Sequence, residues 1–238
     1  MIINTLKRSI RKLILGYDIS TYYFSQGGED AILQALFHKK LSRKDKGFFI
    51  DVGAYHPYKH SNTYFFYING WRGINIDARP GSMKSFNKVR PKDVNLEVGV
   101  SEENGTLTYY FISESSTMNS FSKDNLLENG MYKHVQAEIP VKVTTLEDIL
   151  DKHAQQSGHI DLLSVDAEGL DYQVLRSNNW SKYKPDVIVL ELSCQDIDDV
   201  KHNISARFLF DLGYRIVAKN VIIKNVASVF FVSDSFDY

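Results

Sequence analysis

The sequence predicts a doubly wound α/β domain with a mostly parallel sheet and an antiparallel strand pair at its carboxyl end. Three observations carry this. The short apolar runs FFIDV, INID, LLSV and VIVLEL have the pattern of strands buried on both faces, and they alternate with segments of helical apolar spacing. The closing stretches GYRIVAKN and ASVFFVS read as two strands joined by a turn. The 238 residues, 43% hydrophobic and 24% charged, are enough for one domain with its own core and exclude wholesale disorder.

The elements follow in order. Residues 1–19 set Lys7, Arg8, Arg11 and Lys12 among apolar positions 3, 6, 10, 13 and 14, which predicts a basic amphipathic helix ahead of a domain spanning 20–238. A secretory signal would segregate charge from apolar residues, and this segment does not. Two readings stand for it: peripheral contact with an anionic inner-membrane leaflet through residues 1–15, or packing on the domain or a partner. Ser25-Gln26-Gly27-Gly28-Glu29-Asp30 opens a helix through AILQALFHKK. GFFIDVGA is the first strand and turn, 61–69 a helix, GINIDARP the second strand, 81–89 a helix and VNLEVGVS the third strand. Segments 105–112 and 137–143 alternate as half-buried strands. The polar stretch 113–136 between them reads as a substrate lid, with Ser116, Asn119 and Ser120 offering polar contacts. A threonine-capped helix over 144–154, strands IDLLSVDAEG and PDVIVLELS, and a helix over 198–211 complete the series.

Lys and Arg total 28 against 29 Asp and Glu, so there is no basic footprint for nucleic acid. The single Cys194 excludes an internal disulfide or a thiolate metal cluster. It reads as a small buried hydrophobe in a reducing, cytoplasmic setting. No apolar run reaches the roughly 18 residues of a spanning helix.

In doubly wound sheets ligands bind beyond the carboxyl ends of the strands, so the residues there are the candidates. After the first strand, Asp51 and Gly53 offer an acceptor and a close backbone approach. Tyr55 and Pro57 interrupt any G-x-G-x-x-G pattern, which counts against an NAD(P)-dependent oxidoreductase. Asp77 stands where a nucleotide site grips ribose hydroxyls, or alternatively caps a helix or pairs with Arg79. Gly99-Val100-Ser101 is an adenine wall or a plain turn. Asp166 and Glu168 suit a base or a divalent cation, or a helix cap. Glu191, at the end of an apolar strand, needs a partner or a ligand.

Taken in order, DVGAYHPYKHSNTYFF, INGWRGINIDARP, GVS, TTLEDIL, LLSVDAEGLDYQVL and VIVLEL resemble the FkbM-type S-adenosylmethionine-dependent methyltransferases over residues 20–235. Ser25-Gln26 with Glu29-Asp30 is similar to an amino-terminal motif of one branch. The resemblance implies a Rossmann-like class I methyltransferase domain, S-adenosylmethionine as cofactor and O-methylation of a saccharide or glycan precursor. It places Asp51 and Gly53 in the first cofactor motif, Asp77 on the ribose and Asp166 beside the reacting methyl. The full cofactor-binding set is Asp51, Gly53, Ala54, Ser61, Asn62, Asp77, Ala78, Ser101 and Asp166. Candidate catalytic residues are His56, Asp166 and Glu168, a base serving to take the hydroxyl proton. The rival is Mg²⁺ held by Asp166, Glu168 and Glu191. Tyr55, Tyr64 and Trp71 are candidates to stack on a sugar face. A non-catalytic glycan- or membrane-binding partner protein is the other alternative, but it would have no reason to keep acids at successive strand ends.

Overall fold

The structure, a computed structural model, describes residues 23–155 and 157–238; the amphipathic segment 1–15 lies outside them. Ten strands form two sheets: β1 Phe48–Val52, β2 Arg72–Asp77, β3 Val94–Glu97, β4 Gly99–Val100, β5 Gly105–Phe111, β6 Ala137–Thr144, β7 Leu162–Val165, β8 Val187–Ser193, β9 Tyr214–Ile223 and β10 Val226–Ser233. The main sheet runs β3-β2-β1-β7-β8-β10-β9. β10 is antiparallel to both its neighbours, and the other pairings are parallel. The chain moves outward from β1 to β3 and then returns to the far side of β1 at β7. Strand order therefore reverses between β1 and β7, opening a crevice above their carboxyl ends.

Alternation along β1 explains why both faces are covered. Ile50 joins Ile74, Leu163 and Ile188 in one core, while Phe49 joins Phe37, Phe66 and Trp71 in the other. The helix Glu29–Leu36 starts after Gly28, whose φ of 93° suits glycine. It ends at Phe37, whose ring packs edge-on against Phe66, Trp71 and Phe236. Thr145 caps the helix Leu146–His153 by accepting from the Asp148 amide. Cys194 is free and buried.

Three expectations are corrected. The third strand is two, because after Glu97 the chain leaves the main sheet and Gly99–Val100 pairs with β6. A Cβ at Gly99 would stand 2.7 Å from the Phe121 ring, so glycine permits this crossing. β5 and β6 pair with each other in this separate three-stranded sheet. The stretch 113–136 is no open loop: it carries the helix Lys123–Glu128, capped by Ser122, and a bridge between Tyr110 and Ser120. The helix expected over 198–211 is broken at Asn203, which is extended and caps Ile204–Asp211 through Ser205 and Ala206.

Candidate active site

A cleft of about 610 Å³ opens across the carboxyl ends of β2, β1, β7 and β8, within the usual range for ligand sites. Gly53 lines it with φ 79°, and a Cβ there would sit 1.8 Å from the Asp166 carbonyl oxygen. The amides of Gly53 and Ala54 donate to the Ile76 carbonyl, and the Asp166 amide donates to that of Val52. Three strand ends are thus tied together at one residue that must be glycine.

Asp77 lines the cleft and accepts the Tyr55 and Arg79 amides, each at 2.8 Å. Burial raises it above the ordinary aspartate range despite these bonds. A carboxylate offers about four acceptor sites, so sites remain for ribose hydroxyls. Ala78, Gly99 and Val100 line the same end.

Asp51 faces inward instead. By alternation it shares a face with Phe49, and its Oδ2 accepts from Thr63 Oγ1 at 2.6 Å. Thr63 Oγ1 in turn accepts from the fully buried Arg90 guanidinium at 2.9 Å, which also donates to Asn75. Four aromatic rings surround that guanidinium within 5.9 Å. Asp51 therefore belongs to a buried bracing network, and the cleft lining does not include it. Ser61 accepts from the Thr63 and Tyr64 amides at the start of the helix Tyr64–Ile68. Ala54 packs with Met83 and Phe86. Ser101 donates its amide to the Thr144 carbonyl, outside the cleft lining. Asn62 donates to Ser164 Oγ and reaches only a side pocket.

His56 also stands apart. Its Nδ1 accepts from the Lys59 amide at 3.1 Å, closing its own loop, and the ring does not line the cleft. His60 lines it instead. Trp71 is fully buried in the core, and Tyr64 packs against Phe24 and Tyr67, so only Tyr55 of the three aromatics faces the cleft. Ser116, Asn119 and Ser120 satisfy the segment itself. The Asn119 amide group bonds Ile112, Ser113 and Ser116, and Ser120 Oγ donates to the Glu168 carbonyl at 2.6 Å. With Tyr55 Oη donating to the Ser115 carbonyl, these bonds hold 113–136 over the cleft.

Asp166, Glu168 and Glu191 all line the cleft. Burial pushes Asp166 well above the carboxylate range, and Glu191 and Glu168 push it further. Burial first, then repulsion from Glu191 and Asp171, raises Glu168 to about 8. Burial with Asp171 and Glu29 raises Glu191 to about 7. No opposite charge answers them, for among the described residues seven carboxylates line the cleft against one guanidinium, that of Arg79. Glu168 holds φ 49°, a left-handed conformation costing a non-glycine residue roughly 1 kcal/mol.

The Mg²⁺ expectation finds no ligand set. Among the described residues the one group of three with ligand atoms within 4.8 Å of one another is His159, Asp161 and Asp186, at the opposite ends of β7 and β8. There Asp161 holds Lys40 and the Phe48 amide, and Asp186 holds His159.

The sequence reading missed Gln26 and His60. Gln26 is presented by a cage: Ser25 Oγ donates to Asp30 at 2.6 Å, the Phe24 amide donates to Asp30, and the Gly27 amide donates to Glu29. Ser228 and Asn220, on β10 and β9, donate to Glu29 and to the Gly27 carbonyl. Only the folded chain brings these groups together.

The methyltransferase FkbM domain model matches residues 51–216, more than half the chain. A solved FkbM methyltransferase from Methylobacillus flagellatus KT is 12% identical, with a TM-score of 0.49 over 78% of this chain and 43% of its own. The chain thus spans less than half the length of that protein. The amino-terminal domain of human METTL16 is 9% identical, with a TM-score of 0.45 over 96% of this chain and 79% of its own. The Methanococcus jannaschii fibrillarin pre-rRNA processing protein is 10% identical, with a TM-score of 0.42 over 79% of this chain and 67% of its own. No curated protein matches the sequence. The chain belongs to the methyltransferase FkbM domain family, a family of S-adenosylmethionine-dependent methyltransferases.

Proposed function

We propose that the chain transfers a methyl group from S-adenosylmethionine to a hydroxyl of a neutral saccharide or glycan precursor. The observation that carries this reading is the charge of the cleft: Asp166, Glu168 and Glu191 meet no cation, and Arg79 is the one basic side chain lining the site among the described residues. Such a site attracts a sulfonium and repels acceptors bearing carboxylate or phosphate, nucleic acid included.

The residues present fit the donor. Gly53 presents bare backbone to the cleft, and its close approach to the Asp166 carbonyl leaves no room for a Cβ. Asp77 has acceptor sites for a ribose, and Val98, Gly99, Val100 and Tyr109 form the wall beyond it. When bound, S-adenosylmethionine supplies an electrophilic methyl on positively charged sulfur. Asp77 orients by hydrogen bonds, the Gly53 backbone sets the depth of approach, and Asp166 with Glu191, which a cation beside them helps to deprotonate, supplies negative potential on the β8 side. Segment 113–136, pinned to the Glu168 carbonyl, restricts water above them. Holding the two reactants in line is the main source of acceleration for such a displacement.

The single free cysteine suits work in a reducing cytoplasm, and residues 1–15 are the candidate contact with an inner-membrane leaflet. No helix among the described residues is long and apolar enough to cross a membrane. The test is transfer of a radiolabelled methyl to neutral methyl glycosides set against uronic acids and short RNA. Label in the neutral glycosides is the expected result; label confined to the acids or RNA contradicts the reading.

A further inference from the structure

Beyond Asp166 the cleft continues into an annex of about 30 Å³ lined by Gln26, Glu29, His60, Asn62, Asp166 and Glu191. That is room for one water or one hydroxyl group, and too little for a sugar ring. None of the residues at the ribose end borders it.

The polar groups in the annex fall into two kinds. Glu29 and Asn62 are satisfied, by the Gly27 amide and Ser228 and by Ser164. Gln26 and His60 reach both annex and cleft, and among the described residues their side chains make no hydrogen bond. Both are nevertheless held in place. Gln26 sits in the cage formed by Ser25, Asp30 and Glu29. His60 is fixed at φ 55°, with its ring stacked on Tyr55 at 6.0 Å and the next amide, Ser61, bonded to the Phe24 carbonyl. Both side chains are exposed on a fixed backbone, so their polar groups are free to exchange water for a ligand group.

We propose that the annex receives the reacting hydroxyl of the acceptor, with the Gln26 amide holding it and His60 accepting its proton. This rests on the donor lying in the cleft as described above. The hydroxyl O–H bond breaks, and its proton passes to a ring nitrogen of His60. The oxygen bonds the methyl carbon while the methyl–sulfur bond breaks, its electron pair staying on sulfur as a neutral thioether. The groups around the ring suit this. Partial burial and Lys59 hold His60 below the ordinary histidine range, so it is neutral near pH 7 and able to accept, while Glu29 favours the imidazolium that forms. Asp166 and Glu191 share the same annex, and the exposed edge of the ring returns the proton to solvent.

The test follows the ring nitrogens of His60 by NMR in the full chain labelled with ¹⁵N-histidine, the signal being assigned by its loss in His60→Gln. Titrations are run without ligand, with S-adenosylhomocysteine and with S-adenosylmethionine. A sulfonium near His60 lowers its midpoint by about half a pH unit or more, whereas the neutral thioether leaves it where it was. Equal midpoints in the two complexes overturn the proposal. Failure of both ligands to bind sinks the donor reading instead, which keeps the two failures apart. A second measurement is S-adenosylhomocysteine affinity in His60→Gln and Gln26→Ala. Values within about threefold of wild type are expected, and a larger loss places these residues in the donor half and also overturns the proposal.

Discussion

Asp77, at the end of β2, accepts two backbone amides, and Asp51, at the end of β1, accepts from Thr63 beside a buried arginine. Asp166, Glu168 and Glu191, at the ends of β7 and β8, face one another, and burial and mutual repulsion both raise their affinity for protons. The β1–β2 side is built as shape, its acids held by protein donors before any ligand arrives. The other half is built as charge and is satisfied by a ligand. The same strand-end position on one sheet serves both purposes, so an acid there is defined by what faces it.

Breaking the shape half has the largest expected effect. Gly53→Ala puts a methyl group 1.8 Å from the Asp166 carbonyl at φ 79°. It is expected to cost at least about 2–4 kcal/mol in chemical denaturation and to abolish donor binding. Asp77→Ala comes next: losing charge-assisted bonds to ribose weakens S-adenosylmethionine and S-adenosylhomocysteine alike, by roughly 30-fold or more in calorimetry. Unequal losses would show that Asp77 belongs to the charge half.

The charge half responds to pH. Glu168 and Glu191, at about 8 and 7, stand above the ordinary glutamate value of 4.5, so the folded chain binds protons that the unfolded chain releases. Their stabilising contribution is complete below that value and is lost as pH rises through 7 to 8. The ligand-free chain should therefore melt at higher temperature at pH 5.5 than at pH 8.5, and Glu168→Gln with Glu191→Gln should flatten that slope. A slope unchanged in the double variant assigns it elsewhere. The smallest effect is Ser120→Ala, which removes one hydrogen bond to the Glu168 carbonyl and should cost about 1 kcal/mol in denaturation.

Much of the fold is legible in the sequence because strands buried on both faces leave unbroken apolar runs, and the residues after those runs mark the cleft. Gly53, Asp77, Asp166, Glu168 and Glu191 are found this way and all line it. What escapes depends on partners far along the chain. Asp51 turns inward because Thr63 and Arg90 wait there, although its shared face with Phe49 is visible in FFIDV. His56 and His60 lie in one loop, and only the backbone of that loop decides which ring reaches the cleft. Gln26 arrives through bonds from β9 and β10 near the opposite end of the chain. The break at Asn203 shows the same limit locally, since apolar spacing continues through a residue whose side chain starts a new helix.

The most direct test of the account is calorimetric titration of the full chain with S-adenosylmethionine and with S-adenosylhomocysteine between pH 6 and 8.5. The account predicts one site for each and a preference for the cation that grows as Glu191 and Glu168 lose their protons. No binding of either at sub-millimolar concentration, or a ratio of affinities indifferent to pH, would contradict it.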